Sequence, residues 1–211
     1  MTDRTWNEKT HFSWDDLQEI VRILRSPEGC EWDRMQTHRS LRNNLLEEAY
    51  EVCEGIDRND ANLMCEELGD VLLQVVFHGE IARSEQAFSQ NDIIDGICKK
   101  MIRRHPHVFC DASVAPDDLQ KSWEELKRRE KGDQSLRDTL SRVSKALPGT
   151  KRAEKFIEKG AVEPKKATSP LSAIGKEFYA LCKRCVAENI DPEEAIHHYL
   201  NKIEENCTNC E

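Results

Sequence analysis

Glycine and proline are scarce in this chain, at 9 and 7 of 211 residues, too few for a turn-rich β fold. Aromatic residues make up only 6%, so any aromatic stacking rests on a handful of side chains. No apolar run approaches the roughly 18 to 20 residues that span a bilayer. The polar segment Met1 to Thr10 lacks the apolar core of a signal peptide. A soluble, cytoplasmic protein that engages no membrane is expected. Positive charge is also short, and the formal net charge is -9. Broad nucleic-acid binding depends on Lys and Arg displacing counterions from many phosphates, so no nucleic-acid partner is expected.

The chain is 38% hydrophobic and 34% charged, a balance suited to amphipathic helices. Ser13, with Asp16 three residues on, opens a helix to about Arg25 whose apolar stripe is Leu17, Ile20, Val21 and Leu24. Ser26-Pro27-Glu28-Gly29 stops it, and residues 30–38 read as an ordered loop. Further helices are expected over about 40–57, 61–85, 92–104 (stopped by Pro106), 116–131 and 135–147. After a lysine-rich stretch over 148–170, which reads as a linker or a weak helix, two more are expected over 171–188 and 192–205. Short connections imply an all-α protein, an antiparallel helical bundle.

Nine cysteines is an odd number, and Cys53, Cys65, Cys98, Cys182 and Cys185 fall inside helical patterns where a thiol packs as a small apolar group. They are read as reduced. Cys182-x-x-Cys185 and Cys207-x-x-Cys210 approximate a four-thiolate zinc spacing. Phe178, Leu181, Cys182, Cys185 and Val186 also share one apolar stripe, and packing is the preferred reading of these thiols over zinc.

The acidic residues carry more chemistry. In the helix from about Ser40, Glu47, Glu51 and Glu54 lie opposite the apolar set Leu45, Leu46, Ala49, Val52, Cys53 and Ile56, with Glu48 at the margin. In the next helix, apolar residues run all the way round Leu68 to Phe77, yet Glu67 and Asp70 sit three apart on one face. That helix is expected to be largely dry. Burying uncompensated carboxylates costs several kcal/mol each, and between Glu47 and Glu80 Arg58, in the turn, is the one Lys or Arg. A divalent ion is the natural compensator. An oxygen-only ligand set favours magnesium or manganese over zinc, and magnesium bound this way takes remaining ligands from substrate phosphates. Phosphate chemistry is therefore the first reaction class to consider. A di-iron carboxylate site would need Glu-x-x-His on the acidic helices, but Glu8 to His11 and Glu194 to His197 lie elsewhere.

These residues resemble the MazG nucleoside triphosphate pyrophosphohydrolases of the all-α NTP pyrophosphatase superfamily. The resemblance covers about residues 14–131 and rests on Glu48-x-x-Glu51 followed by Glu67-x-x-Asp70. Ordered context strengthens it: Leu24 to Cys30, Trp32-Asp33, Gln36-Thr37-His38, Leu45 to Glu51, Glu66 to Asp70, Leu73 to His78, and Arg103 to Phe109. It implies hydrolysis of nucleoside triphosphates between the α and β phosphates by a homodimeric enzyme. It also implies magnesium held by Glu48, Glu51, Glu67 and Asp70, with Glu47 as an additional ligand. Arg103, Arg104 and His105 are candidate phosphate contacts, since Arg offers forked donors to phosphate; a solvated helix end is the plainer reading. Trp123 and Lys127 match a segment the family usually writes with Asn-Trp-Glu and, with Trp32, are candidates for base stacking and phosphate contact.

Departures from the pattern include Glu31 for the usual Pro, Asn43-Asn44 for a common Pro-Tyr, Ser122 for Asn and Cys110 for Gly. None removes a proposed ligand. Relatives often carry a second, similar domain; here residues 174–181 and 190–195 look like the end of one, with Ala173-x-x-Lys176 where Glu-x-x-Asp would stand. The expected division is a catalytic domain over 14–131 and a degenerate, non-catalytic region over 133–211. The alternative is a non-catalytic helical interaction module with a structural ion.

Overall fold

The structure, a computed structural model, describes residues 6–109, 130, 132, 135–164, 166 and 168–208, with the backbone alone over 204–208. Among these the regular structure is all helical, with no strand. Packing divides the chain into two units, 1–113 and 114–211.

In the first unit, α1 (Trp14–Leu24) starts where expected. The Ser13 hydroxyl accepts from the Asp16 backbone N–H at 3.3 Å, and the Asp16 carboxylate accepts from the Ser13 backbone N–H at 2.8 Å, a reciprocal cap. Residues 30–38 are more ordered than the expected loop, because they include a short helix, α2 (Glu31–Met35). Arg25 organises it: Nη1 donates to the Asp33 and Gln36 carbonyls at 2.6 and 3.1 Å. α3 (Arg42–Asp57) begins slightly late, because Thr37 and Ser40 close a turn of their own through reciprocal side-chain bonds.

Asn59, at φ 53°, ends α3 in the left-handed region, and the Asp60 carboxylate caps α4 (Ala61–Ser84) by accepting from the Asn62 and Leu63 N–H groups. This tight turn lays α3 and α4 side by side, and theirs is the most extensive helix contact in the described chain. The core sits at the far half of α4, where Val76, Phe77 and Ile81 close on Val21 of α1 and Leu41, ringed by Trp14, Leu17 and Leu73. Each such buried side chain contributes roughly 1.5–3 kcal/mol. α5 (Gln90–Arg104) begins two residues earlier than expected, with Ser89 and Asp92 forming another capping box. Buried Gln90 anchors it by donating to the Val76 carbonyl at 3.3 Å. Pro106 ends that helix and starts another, α6 (Pro106–Phe109), in which its missing N–H costs nothing.

The second unit holds α7 (Leu136–Ser141), α8 (Gly149–Glu158), α9 (Pro170–Ala187) and α10 (Pro192–Thr208). α7 is shorter than the sequence pattern suggests, and α8 occupies part of the stretch read as a linker or a weak helix. Lys151 ties α8 to the start of α10 through Asp191, and Thr150 does so through Glu193. The expected helix over 116–131 lies outside the described residues apart from Glu130.

Candidate functional site

The sequence pattern set the apolar residues of α3 opposite its acids; the helix crossing divides both sets, with Leu45 half-buried and Glu47 and Glu54 exposed. Glu48, Glu51 and Val52 are half-buried and Gly55 is buried, whereas Leu46, Tyr50 and Ile56 are 42%, 56% and 54% exposed. On α4 the half-buried positions include Met64, Glu67, Asp70 and Val71, while Leu68 and Leu72 are 50% and 41% exposed. The near half of α4 is thus not dry in a single chain, contrary to the sequence expectation, and the carboxylates line the seam between the two helices. Gly55 makes the seam possible: a Cβ there would stand 2.8 Å from the Met64 backbone nitrogen.

Within that seam, carboxylate oxygens of Glu48, Glu67 and Asp70 all lie within 4.8 Å of one another. Glu51 lies near enough to add repulsion at both Glu48 and Glu67. The Glu48 carboxyl titrates above its ordinary range because burial disfavours its charge, with Asp70 and Glu51 adding repulsion. Glu67 is raised for the same reasons, burial first and then Glu51 and Asp70. Glu80, further along the same helix, shows how a structural acid is satisfied. It is buried, and Arg83 meets it with two forked bonds of 2.6 and 2.7 Å. Among the described residues, none of Glu48, Glu51, Glu67 or Asp70 has a Lys, Arg or His ion pair, and the lone Arg58 pairs with Glu54. A converging all-oxygen donor set that raises its own protonation is what a hard divalent cation relieves.

Glu47 is exposed and is not among the three converging acids. Trp32, on α2, is 59% exposed, with its carbonyl accepting from Gln36 Nε2 at 2.9 Å. Arg103 and Arg104 occupy the last turn of α5, and His105 caps it, with Nδ1 2.7 Å from the Met101 carbonyl. Trp123 and Lys127 lie outside the described residues. Of the zinc-spaced thiols, Cys182 is buried and its thiol titrates high, mainly from burial. The Cys207 side chain and Cys210 lie outside the described residues. Phe178 and Leu181, read as partners in that stripe, are 63% and 53% exposed.

Two features near the site escaped the sequence reading. Gly55 is one; its signal was a glycine inside an otherwise continuous helical pattern, facing the acids' own stripe. The other is a histidine pair, His38 and His78, with Nδ1 atoms 2.7 Å apart. The rings lie 8° from parallel with centroids 5.0 Å apart, about the longest separation that contact permits, so they meet edge to edge in one plane. One Nδ1 donates to the other, tying the segment before α3 to α4. His78 titrates below its ordinary range because of burial and then His38.

An all-helical chain whose two central helices converge unpaired carboxylates has the make-up of a cation-dependent, phosphate-processing protein. Comparison with known proteins carries the assignment further. Residues 36–109 match the MazG nucleotide pyrophosphohydrolase domain. The chain is 38% identical to the nucleoside triphosphate pyrophosphohydrolase/pyrophosphatase MazG of Thermotoga maritima, across 91% of this chain and 83% of that protein. It is 40% identical to the nucleoside triphosphate pyrophosphohydrolase of Escherichia coli K12, across 70% of this chain but 57% of that protein. A crystal structure of a mazG-related protein from Thermotoga maritima aligns at TM-score 0.46 and 27% identity, covering 54% of this chain and 98% of that one. The chain belongs to the MazG family, whose domain is that of a nucleotide-hydrolysing enzyme.

Proposed function

We propose that this chain hydrolyses nucleoside triphosphates between the α and β phosphates, releasing a nucleoside monophosphate and pyrophosphate, with magnesium held by Glu48, Glu51, Glu67 and Asp70. The single observation carrying this reading is the convergence of three carboxylates within 4.8 Å without a protein counter-charge, in a chain of this family. Bound there, magnesium supplies the positive charge that draws in the triphosphate and polarises the attacking water. The chain's own part is to hold the acids apart from any lysine or arginine, so that the seam stays available to a cation. One carboxylate of the set accepts the proton as water attacks. Glu47, exposed beside Glu48, is proposed as the outermost ligand. Arg103, Arg104 and His105 are proposed to meet the phosphates. Trp32 and Trp123 are proposed to stack on the base, and Lys127 to touch phosphate.

Two finer readings accompany this one. The exposed apolar residues Leu46, Leu68 and Leu72 support a homodimer in which a second copy covers the outer side of the α3–α4 pair. The C-terminal region, whose Ala173 and Lys176 replace ligand positions, is proposed to be non-catalytic. The direct test incubates the protein with each common triphosphate and magnesium and measures pyrophosphate. Release from at least one nucleotide is expected; none from any would instead favour the non-catalytic module.

A further inference from the structure

We propose that the C-terminal unit contains a second, metal-independent pocket that takes a small organic phosphate with a planar ring, of the size of a nucleoside monophosphate. The cavity, about 390 Å³, lies between α7, α8 and the segment after α8, within the range of small-ligand sites. Its apolar wall is Leu136, Leu140, Phe156 and Val162, and its charged groups are Arg137 and Arg152.

Three observations single it out. First, no carboxylate lines the cavity among the described residues, so an anion entering it meets no like charge from them. Second, among the described residues neither arginine has an ion pair, whereas nearby Lys151, Lys155 and Lys183 are matched with Asp191, Glu158 and Glu163. In a chain where 40 acids outnumber 31 basic residues, two arginines left without carboxylates on one cavity are set apart from that pairing. Third, Arg152 is already positioned: its guanidinium lies 5.1 Å from the Phe156 ring centroid, and its Nε is buried without a hydrogen-bond acceptor. A buried charged donor left without a partner is costly, and an anion supplies that partner. Arg forks match phosphate oxygens, while the leucines and Phe156 offer a planar ring an apolar surface. Val162, 86% exposed, leaves the mouth open to exchange.

Equilibrium dialysis of labelled AMP against the full chain in EDTA removes the cation-dependent part of binding at the acidic seam, and the arginine variants assign what remains to this pocket. One AMP per chain is expected to bind. Raising KCl should weaken binding, and Arg137→Gln or Arg152→Gln should weaken it at least about tenfold. Glu67→Gln should leave it unchanged. Arg137 is exposed, so its substitution spares the fold, and matching circular dichroism establishes that. Phe156→Leu should weaken AMP more than inorganic phosphate. Absence of AMP binding at millimolar concentration would overturn the proposal, as would binding indifferent to both arginine substitutions, or inorganic phosphate binding as tightly as AMP. Each of these results is independent of pyrophosphate release at the acidic seam.

Discussion

Glu67 and Glu80 stand on one helix and solve the same electrostatic problem differently. Glu80 is matched by Arg83, and Glu67 is left to repel Glu51 and Asp70. A carboxyl whose folded value lies above its unfolded one holds its proton better when folded. The stability it contributes is therefore present at low pH and lost as pH rises through the folded value. At neutral pH the ionised cluster weighs against the fold until a cation arrives. Glu67→Gln should accordingly raise the thermal midpoint of metal-free protein while removing the increment that magnesium gives the parent, and lower turnover by about 100-fold or more. Calorimetry with and without magnesium reads both parts; a variant less stable without metal would contradict this reading.

The histidine pair has the opposite dependence. His78, held below its ordinary value, contributes stability that is present above about pH 6.5 and lost as pH falls through that range toward its folded value. In His78→Gln the fall in thermal midpoint between pH 7.5 and 5.5 should be shallower than in the parent. Parallel curves would exclude the pair as its source. The sequence marked both histidines as members of motifs but gave no sign that they meet, because contact between residues 40 positions apart is a property of packing.

At the scale of elements, the crossing of α3 and α4 is the feature on which the site depends. The longer helices were legible, since the cap at Ser13 and the apolar periodicity are local signals. Which face of α3 met α4 was not. Apolar periodicity points inward by default, and here Leu46 and Tyr50 point out while Glu48, Glu51 and Gly55 point in. Three of the acids that the sequence set together, Glu48, Glu67 and Asp70, do converge, because an i, i+3 pair such as Glu67 and Asp70 shares a face whichever way the helix turns. α2 was missed because its order comes from Arg25, whose bonds to Asp33 and Gln36 join different elements.

Gly55→Ala tests the crossing. The added methyl meets the Met64 backbone, not a side chain that can yield, so α3 and α4 must separate. A loss of about 1–3 kcal/mol in unfolding free energy is expected, together with weaker magnesium binding, because the triad spans both helices. Denaturant unfolding and metal titration measure the two effects. An unchanged metal affinity would mean that the acids do not depend on this close approach.

For the whole molecule, the apolar residues left outward by that crossing predict association. Leu68 and Leu72, both exposed on α4, are where the proposed second copy would sit. Leu68→Glu should shift the protein from dimer to monomer in analytical ultracentrifugation, and a monomeric parent would remove the case for a second copy. The sequence reading anticipated dimerisation from resemblance alone; the residues that favour it came from the helix orientation.

Chemistry at the acidic seam is read in a single assay. Full-length protein is incubated with magnesium and each common triphosphate, and monophosphate and pyrophosphate are quantified together for the parent, Glu48→Gln and Asp70→Asn. The account predicts equimolar monophosphate and pyrophosphate from at least one nucleotide, and a fall of about 100-fold or more in both variants. Orthophosphate and a nucleoside diphosphate as products, or undiminished release by the variants, would overturn the assignment.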